Sequence, residues 1–122
     1  MNFQEEELEI EKLHTLMQQN CKQKTNLSDD EFKIVLERKL YDGKQSAKSL
    51  QCYALCYIKE NKFYTDQGPN IEHLRVMLPI YINDKQKSYD TIEKCARLTG
   101  GDECERGYKF ISCLMQEMGL SG

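Results

Sequence analysis

Leu50-Gln51-Cys52-Tyr53-Ala54-Leu55-Cys56-Tyr57 sets two cysteines one helical turn apart in a run of large apolar residues. Wound as a helix, the segment turns Leu50, Tyr53, Ala54 and Tyr57 to one side and Cys52, Leu55 and Cys56 roughly to the other, so it must meet neighbours on two sides. The Cβ atoms of residues four apart on a helix stand roughly 6 Å apart, beyond the reach of a disulfide. Cys52 and Cys56 therefore need different partners. Towards the C-terminus, Cys104 and Cys113 are separated by about 900° of helical turn, which places them on opposite faces and forbids their pairing too. Of the roughly 15 connectivities open to six cysteines, removing these pairs leaves about ten. Geometry leaves those alternatives open.

Working outward, the remaining chain reads as helix throughout. Ile10, Leu13, Met17 and Cys21 share one side of a first helix, whose start carries Glu5, Glu6 and Glu7, acids that suit the dipole there. Ser28-Asp29-Asp30-Glu31 is a capping box, with Leu27 and Phe32 at the positions of a hydrophobic staple. Tyr41-Asp42-Gly43-Lys44 reads as a turn. Ser46 is the expected cap of a third helix running to about Asn61, which would stop it in the left-handed conformation. After Gly68-Pro69, Asn70 caps a short fourth helix that Pro79 is expected to end. Asn83 is the expected cap of a fifth, carrying Tyr89, Ile92, Cys95 and Ala96 and closed by Gly100-Gly101. Asp102 and Glu105 begin the last helix, which runs to about Met118 with Gly119 just beyond. In it Tyr108, Phe110, Ile111, Leu114, Met115 and Met118 cover an arc wider than the ~100° stripe of a surface helix, so it should be central. No window alternates as a strand would. The expected fold is all-α: a compact six-helix single domain spanning residues 1–122.

The chain of 122 residues is 39% hydrophobic, has a mean hydropathy of −0.71 and lacks Trp, which leaves little apolar material for a large solid core. Six cysteines in so small and polar a chain read as a disulfide framework where the protein is extracellular. The first residues are acidic where a secretory signal would need a basic start and an apolar run, which leaves two readings: a mature secreted chain with Met1 placed before it, or an intracellular protein with reduced thiols; the cysteine spacing favours the first. A net charge of −3 from interspersed acids and bases gives no footprint for nucleic acid or an anionic membrane. The apolar run Met77–Ile82 falls far below the roughly 20 residues of a membrane span. His14 and His73, the two histidines, lie in no hydrolase or phospholipase motif, so no enzyme is expected. Close cysteine pairs of the C-x₂-C kind are missing, so neither metal nor other cofactor is expected.

Between successive cysteines lie 30, 3, 38, 8 and 8 residues. The three-residue and final eight-residue intervals closely resemble the six-cysteine signature of insect odorant-binding proteins, over Cys21 to Cys113. The resemblance implies the pairs Cys21–Cys56, Cys52–Cys104 and Cys95–Cys113, interlocked around an apolar cavity. It also implies an extracellular carrier of odorants, pheromones or fatty-acid-like lipids, whose partners are a small apolar ligand and a membrane receptor. The oligomeric state is left open. On this reading Leu50, Tyr53, Ala54 and Tyr57 of the third helix line the cavity, with Leu74, Met77 and Leu78 of the fourth. Tyr89 and Ile92 come from the fifth helix, and Tyr108, Ile111, Leu114 and Met115 from the last. Met77, Met115 and Met118 suit a site that adapts to shape. Tyr53 and Tyr108 are the first choices for hydrogen bonds to a ligand head group. The tail after Cys113 is too short for the extra helix of some moth relatives; Met118 and Leu120 could add a wall or lid. Acid should weaken binding between pH 7 and pH 5, through His73 in the first turn of the fourth helix, where the dipole disfavours its charged form, with His14 second. The competing class is a disulfide-stapled secreted interaction or signalling protein with a solid core.

Overall fold

The computed structural model describes residues 3–119, and among them are six α-helices and one minimal β-ribbon. The helices are α1 (Phe3–Lys24), α2 (Asp29–Leu36), α3 (Lys48–Glu60), α4 (Ile71–Ile82), α5 (Lys85–Ala96) and α6 (Glu103–Glu117). A 3₁₀ turn, Leu40–Asp42, follows α2, and Gly43 closes it at φ +80°, where a side chain would be strained. Strands β1 (Tyr64–Thr65) and β2 (Gly68–Pro69) pair antiparallel, with Tyr64 opposite Pro69. Two-residue strands carry no alternation, so this ribbon leaves no signature in the sequence. No described helix is long and apolar enough to cross a membrane.

Most helix starts obey their local chemistry. The Ser28 side chain accepts from the Glu31 N–H while the Glu31 carboxylate accepts from the Ser28 N–H, both at 3.1 Å, and Leu27 and Phe32 are buried beside the box. Asn70 caps α4 and Asp102 caps α6. Five boundaries differ from the sequence reading. Ala47, with no side-chain cap, precedes α3 instead of Ser46, because Lys48 is already helical. Asn61 keeps φ −84°, and Lys62 takes the left-handed turn at φ +66°. Pro79 lies inside α4, which runs on to Ile82; Asn83 ends that helix at φ +58°, donating to the Pro79 carbonyl. Asp84, one residue later than Asn83, caps α5 through the Lys87 N–H. α5 ends at Ala96, before Gly100-Gly101.

The six cysteines form Cys21–Cys56, Cys52–Cys104 and Cys95–Cys113, and none is free. α3 is thus sewn to α1 on one side and to the start of α6 on the other, while α5 is sewn to the middle of α6. Buried residues of α3 and α6 form the centre: Leu50, Tyr53, Ala54, Leu55 and Ile58 against Tyr108, Phe110, Ile111 and Leu114. The two helices meet at Gly107, where a Cβ would stand 2.6 Å from the Leu55 Cδ1. From Ser49 to Glu60 no residue of α3 is exposed. α1 departs from its expected stripe. Only its second half reaches α3, so Cys21 is buried and Met17 half-buried, while Ile10 (58%) and Leu13 (54%) stand exposed with Leu8 and Leu16.

Candidate ligand-binding site

A recess of about 250 Å³ opens where the middle of α1, the end of α3, α4 and α6 converge. Its floor and sides are Ile58, Leu74, Leu78, Ile111 and Leu114, all buried. Phe63, Met77, Met115 and Met118, half-buried, complete the apolar wall. Exposed His14 and Tyr81 stand at the rim, and Tyr41 and Tyr57 supply the remaining polar atoms. No Lys, Arg, Asp or Glu lines it. The recess is open on one side and somewhat smaller than most ligand pockets, but its mostly apolar lining with a few placed hydroxyls is that of a small-molecule site.

The lining follows from helix register. α4 turns Leu74, Met77, Leu78 and Tyr81 inward at i, i+3, i+4 and i+7. α6 does the same with Ile111, Leu114, Met115 and Met118. The 3₁₀ turn delivers Tyr41, and the loop after α3 delivers Phe63. Of the residues expected from sequence, Tyr57, Leu74, Met77, Leu78, Ile111, Leu114 and Met115 come together here. Six do not. Leu50, Tyr53, Ala54, Ile92 and Tyr108 are buried in the core, because α3, α5 and α6 face neighbouring elements on those sides. Tyr89 lies on the α4–α5 surface under Arg75 and Lys85, whose cationic groups stand 5.3 and 5.7 Å from its ring.

Tyrosine hydroxyls divide sharply. That of Tyr108 is fully engaged, donating to the Leu40 carbonyl at 2.8 Å and accepting from the Gln45 N–H at 3.2 Å. The Tyr57 hydroxyl hydrogen-bonds His14 Nδ1, and the Tyr57 ring lies between those of His14 and Tyr53, with centroids 6.2 and 6.3 Å away. The Tyr53 hydroxyl is buried with no partner among the described residues. Burial holds the Tyr41, Tyr53 and Tyr57 phenols above the usual tyrosine range, since their ionised forms would lose hydration. His73 packs on Phe63 outside the recess, at 5.5 Å between ring centroids. Met118 lines the wall, whereas Leu120 lies outside the described residues.

His14, Tyr41, Ile58, Phe63 and Tyr81 escape the sequence reading of the site. Ile58 was within reach of it, continuing the Leu50–Ala54 face by one turn, and Tyr81 follows Met77 by one turn once Pro79 is allowed within the helix. Tyr41 and Phe63 belong to turns, where periodicity carries no signal. Among the described residues no group of three or more His, Cys, Asp or Glu could hold a metal ion.

Small helical domains with three interlocked disulfides and an apolar recess form a class of hydrophobic-ligand carriers, and comparison with known proteins agrees. The model of the PBP/GOBP family matches residues 4–117, and the chain belongs to that family of odorant-binding carrier proteins. Its fold is similar to the fatty acid binding protein OBP56a from the oral disk of the blowfly Phormia regina. The TM-score is 0.77 at 16% identity, over 89% of this chain and 91% of that one. Odorant Binding Protein 4 of the predator Chrysopa pallens superposes with a TM-score of 0.66 at 23% identity, over 93% and 94% of the two chains. No curated protein matches significantly in sequence.

Proposed function

We propose that this chain is an extracellular carrier, one domain throughout, that holds a single small hydrophobic molecule in the recess among α1, α3, α4 and α6. The observation that carries the reading is an apolar recess left open beside a core whose helices are fixed by covalent bonds. A chain free to collapse would close over such a surface; three disulfides that persist in an oxidising compartment oppose that. Membership of a carrier family supports the same reading. A cavity of roughly 150 Å³ accepts benzene, so by proportion one of about 250 Å³ suits a molecule of about ten non-hydrogen atoms. A membrane receptor is the partner to which such a carrier would hand its cargo.

Titration with an apolar fluorescent probe tests this. Saturable binding at about one site per chain is expected, with a Kd in the micromolar range, or about −8 kcal/mol. Met77→Glu and Met115→Glu should abolish it, each placing a charge in the half-buried wall, while Leu98→Glu on the exposed surface should leave it unchanged. A folded, fully disulfide-bonded protein that binds no apolar probe would instead be the solid-core interaction protein.

A further inference from the structure

Resting on the carrier reading, we propose that the recess selects a neutral ligand with one hydrogen-bond-accepting head, a ketone, aldehyde, ester or alcohol, and that the Tyr41 and Tyr57 hydroxyls hold that head. The polar atoms of the lining set the chemistry. Tyr41 lines the recess, and its hydroxyl has no partner among the described residues. Tyr57 is paired with His14, and with His14 in its Nδ1–H tautomer the imidazole donates to the Tyr57 oxygen, which fixes the ring and leaves the Tyr57 O–H free to donate to the ligand head. Tyr53, outside the lining but stacked on Tyr57 with ring centroids 6.3 Å apart, is 1% exposed, and its hydroxyl is unpaired among the described residues. Folding ordinarily pairs a donor buried so deeply, because leaving it without a partner forfeits the hydrogen bonds it made in water. Burial keeps the Tyr41 phenol protonated, so it offers this corner of the recess an O–H donor at every physiological pH.

The same corner is unsuited to a carboxylate. No Lys or Arg lines the recess, so a carboxylate would give up its hydration without an ammonium or guanidinium in return. A neutral carbonyl or hydroxyl oxygen is desolvated more easily and needs only the one or two donors present. A pure hydrocarbon would fit the wall and leave the donors unmet.

The test is displacement of a bound apolar fluorescent probe at pH 8, where carboxylic acids are ionised, by nonan-2-one, nonan-1-ol, nonanoate and nonane. Ketone and alcohol should compete best, with nonanoate at least about tenfold weaker and nonane several-fold weaker, in line with one net hydrogen bond. Tyr41→Phe and Tyr57→Phe keep the rings and should each weaken nonan-2-one about three- to tenfold while leaving nonane unchanged. Nonanoate competing as well as the ketone overturns the assignment. So does equal weakening of ketone and hydrocarbon in the Phe variants, which would show that the hydroxyls only shape the recess, and so does no weakening of either, which would show that the rings act through packing alone. Failure of every competitor and of the probe itself would overturn the carrier reading, and the head-group assignment with it.

Discussion

Tyr108 and Tyr41 carry the same phenol, yet helix spacing points only to the first as a contact for ligand. Periodicity reports which ring is buried; it says nothing of where the hydroxyl goes. On α6 the Tyr108 ring enters the core and its oxygen bridges the Leu40 carbonyl and the Gln45 N–H, tying the 3₁₀ turn to the centre of the molecule. Tyr41 sits in a Tyr-Asp-Gly-Lys stretch whose composition signals a solvated turn, and only tertiary packing brings it inside. The difference can be measured. Tyr108→Phe removes the shared partner of two backbone groups and should cost about 1–3 kcal/mol, read as a lower urea midpoint at unchanged slope. Its probe affinity should remain that of the parent protein. Tyr41→Phe breaks no hydrogen bond among the described residues and should leave the midpoint nearly unmoved. An unchanged midpoint in Tyr108→Phe would show that water satisfies the Leu40 and Gln45 groups equally well.

Among the elements, helices with strong local starts were legible, and those shaped by their neighbours were not. The Ser28–Glu31 box, the Asn70 cap and the Asp102 cap are each written in a few adjacent residues and occur where those residues stand. Pro79 shows the limit of such signals: α4 continues past it because packing of Leu78 and Ile82 on the core outweighs one lost backbone bond. α1 shows another, since a stripe of apolar residues does not reveal how much of a helix its neighbour will cover. Asp102 also gives α6 a pH dependence. A hydrogen bond from Lys48, then one from the Glu105 N–H, hold its carboxyl below the usual range. A group lowered on folding adds stability above its unfolded pKa, near pH 4, and loses it as the pH falls through the folded value. Asp102→Asn keeps an acceptor at the cap but has no charge to titrate. The parent protein should therefore have the higher Tm at pH 6, and the gap should narrow as the pH falls below the ordinary aspartate range. A gap that persists at pH 2 would assign the Asp102 contribution to cap geometry instead of charge.

At the scale of the molecule, the sequence marks the all-helical class and the centrality of α3 and α6, while the disulfide pairing came through family resemblance, since helical geometry left many pairings open. The position of the recess lay beyond both. It depends on which side of α3 meets α1 and which meets α6, a relation among distant segments that the covalent links fix. Those links should be similar in stability and unlike in function. The bridges Cys21–Cys56, Cys52–Cys104 and Cys95–Cys113 close separations of 35, 52 and 18 residues. Because loop entropy grows only with the logarithm of length, each contributes about 3–4 kcal/mol on chain-entropy grounds. Of the three bridges, Cys21–Cys56 is the one that joins α1 to α3, and with it supports His14 against Tyr57 at the rim of the recess. Cys95–Cys113 joins α5 to the side of α6 turned away from the recess lining. Replacing each pair by alanines, which add no buried hydroxyl, should lower the urea midpoint by comparable amounts. Probe affinity, measured well below either midpoint, should fall about tenfold or more without Cys21–Cys56 and less than twofold without Cys95–Cys113, a full hydrogen-bonded wall in one case and none in the other. Equal losses of affinity in the two variants would mean that the recess responds to global stability, and that α1 is not one of its walls.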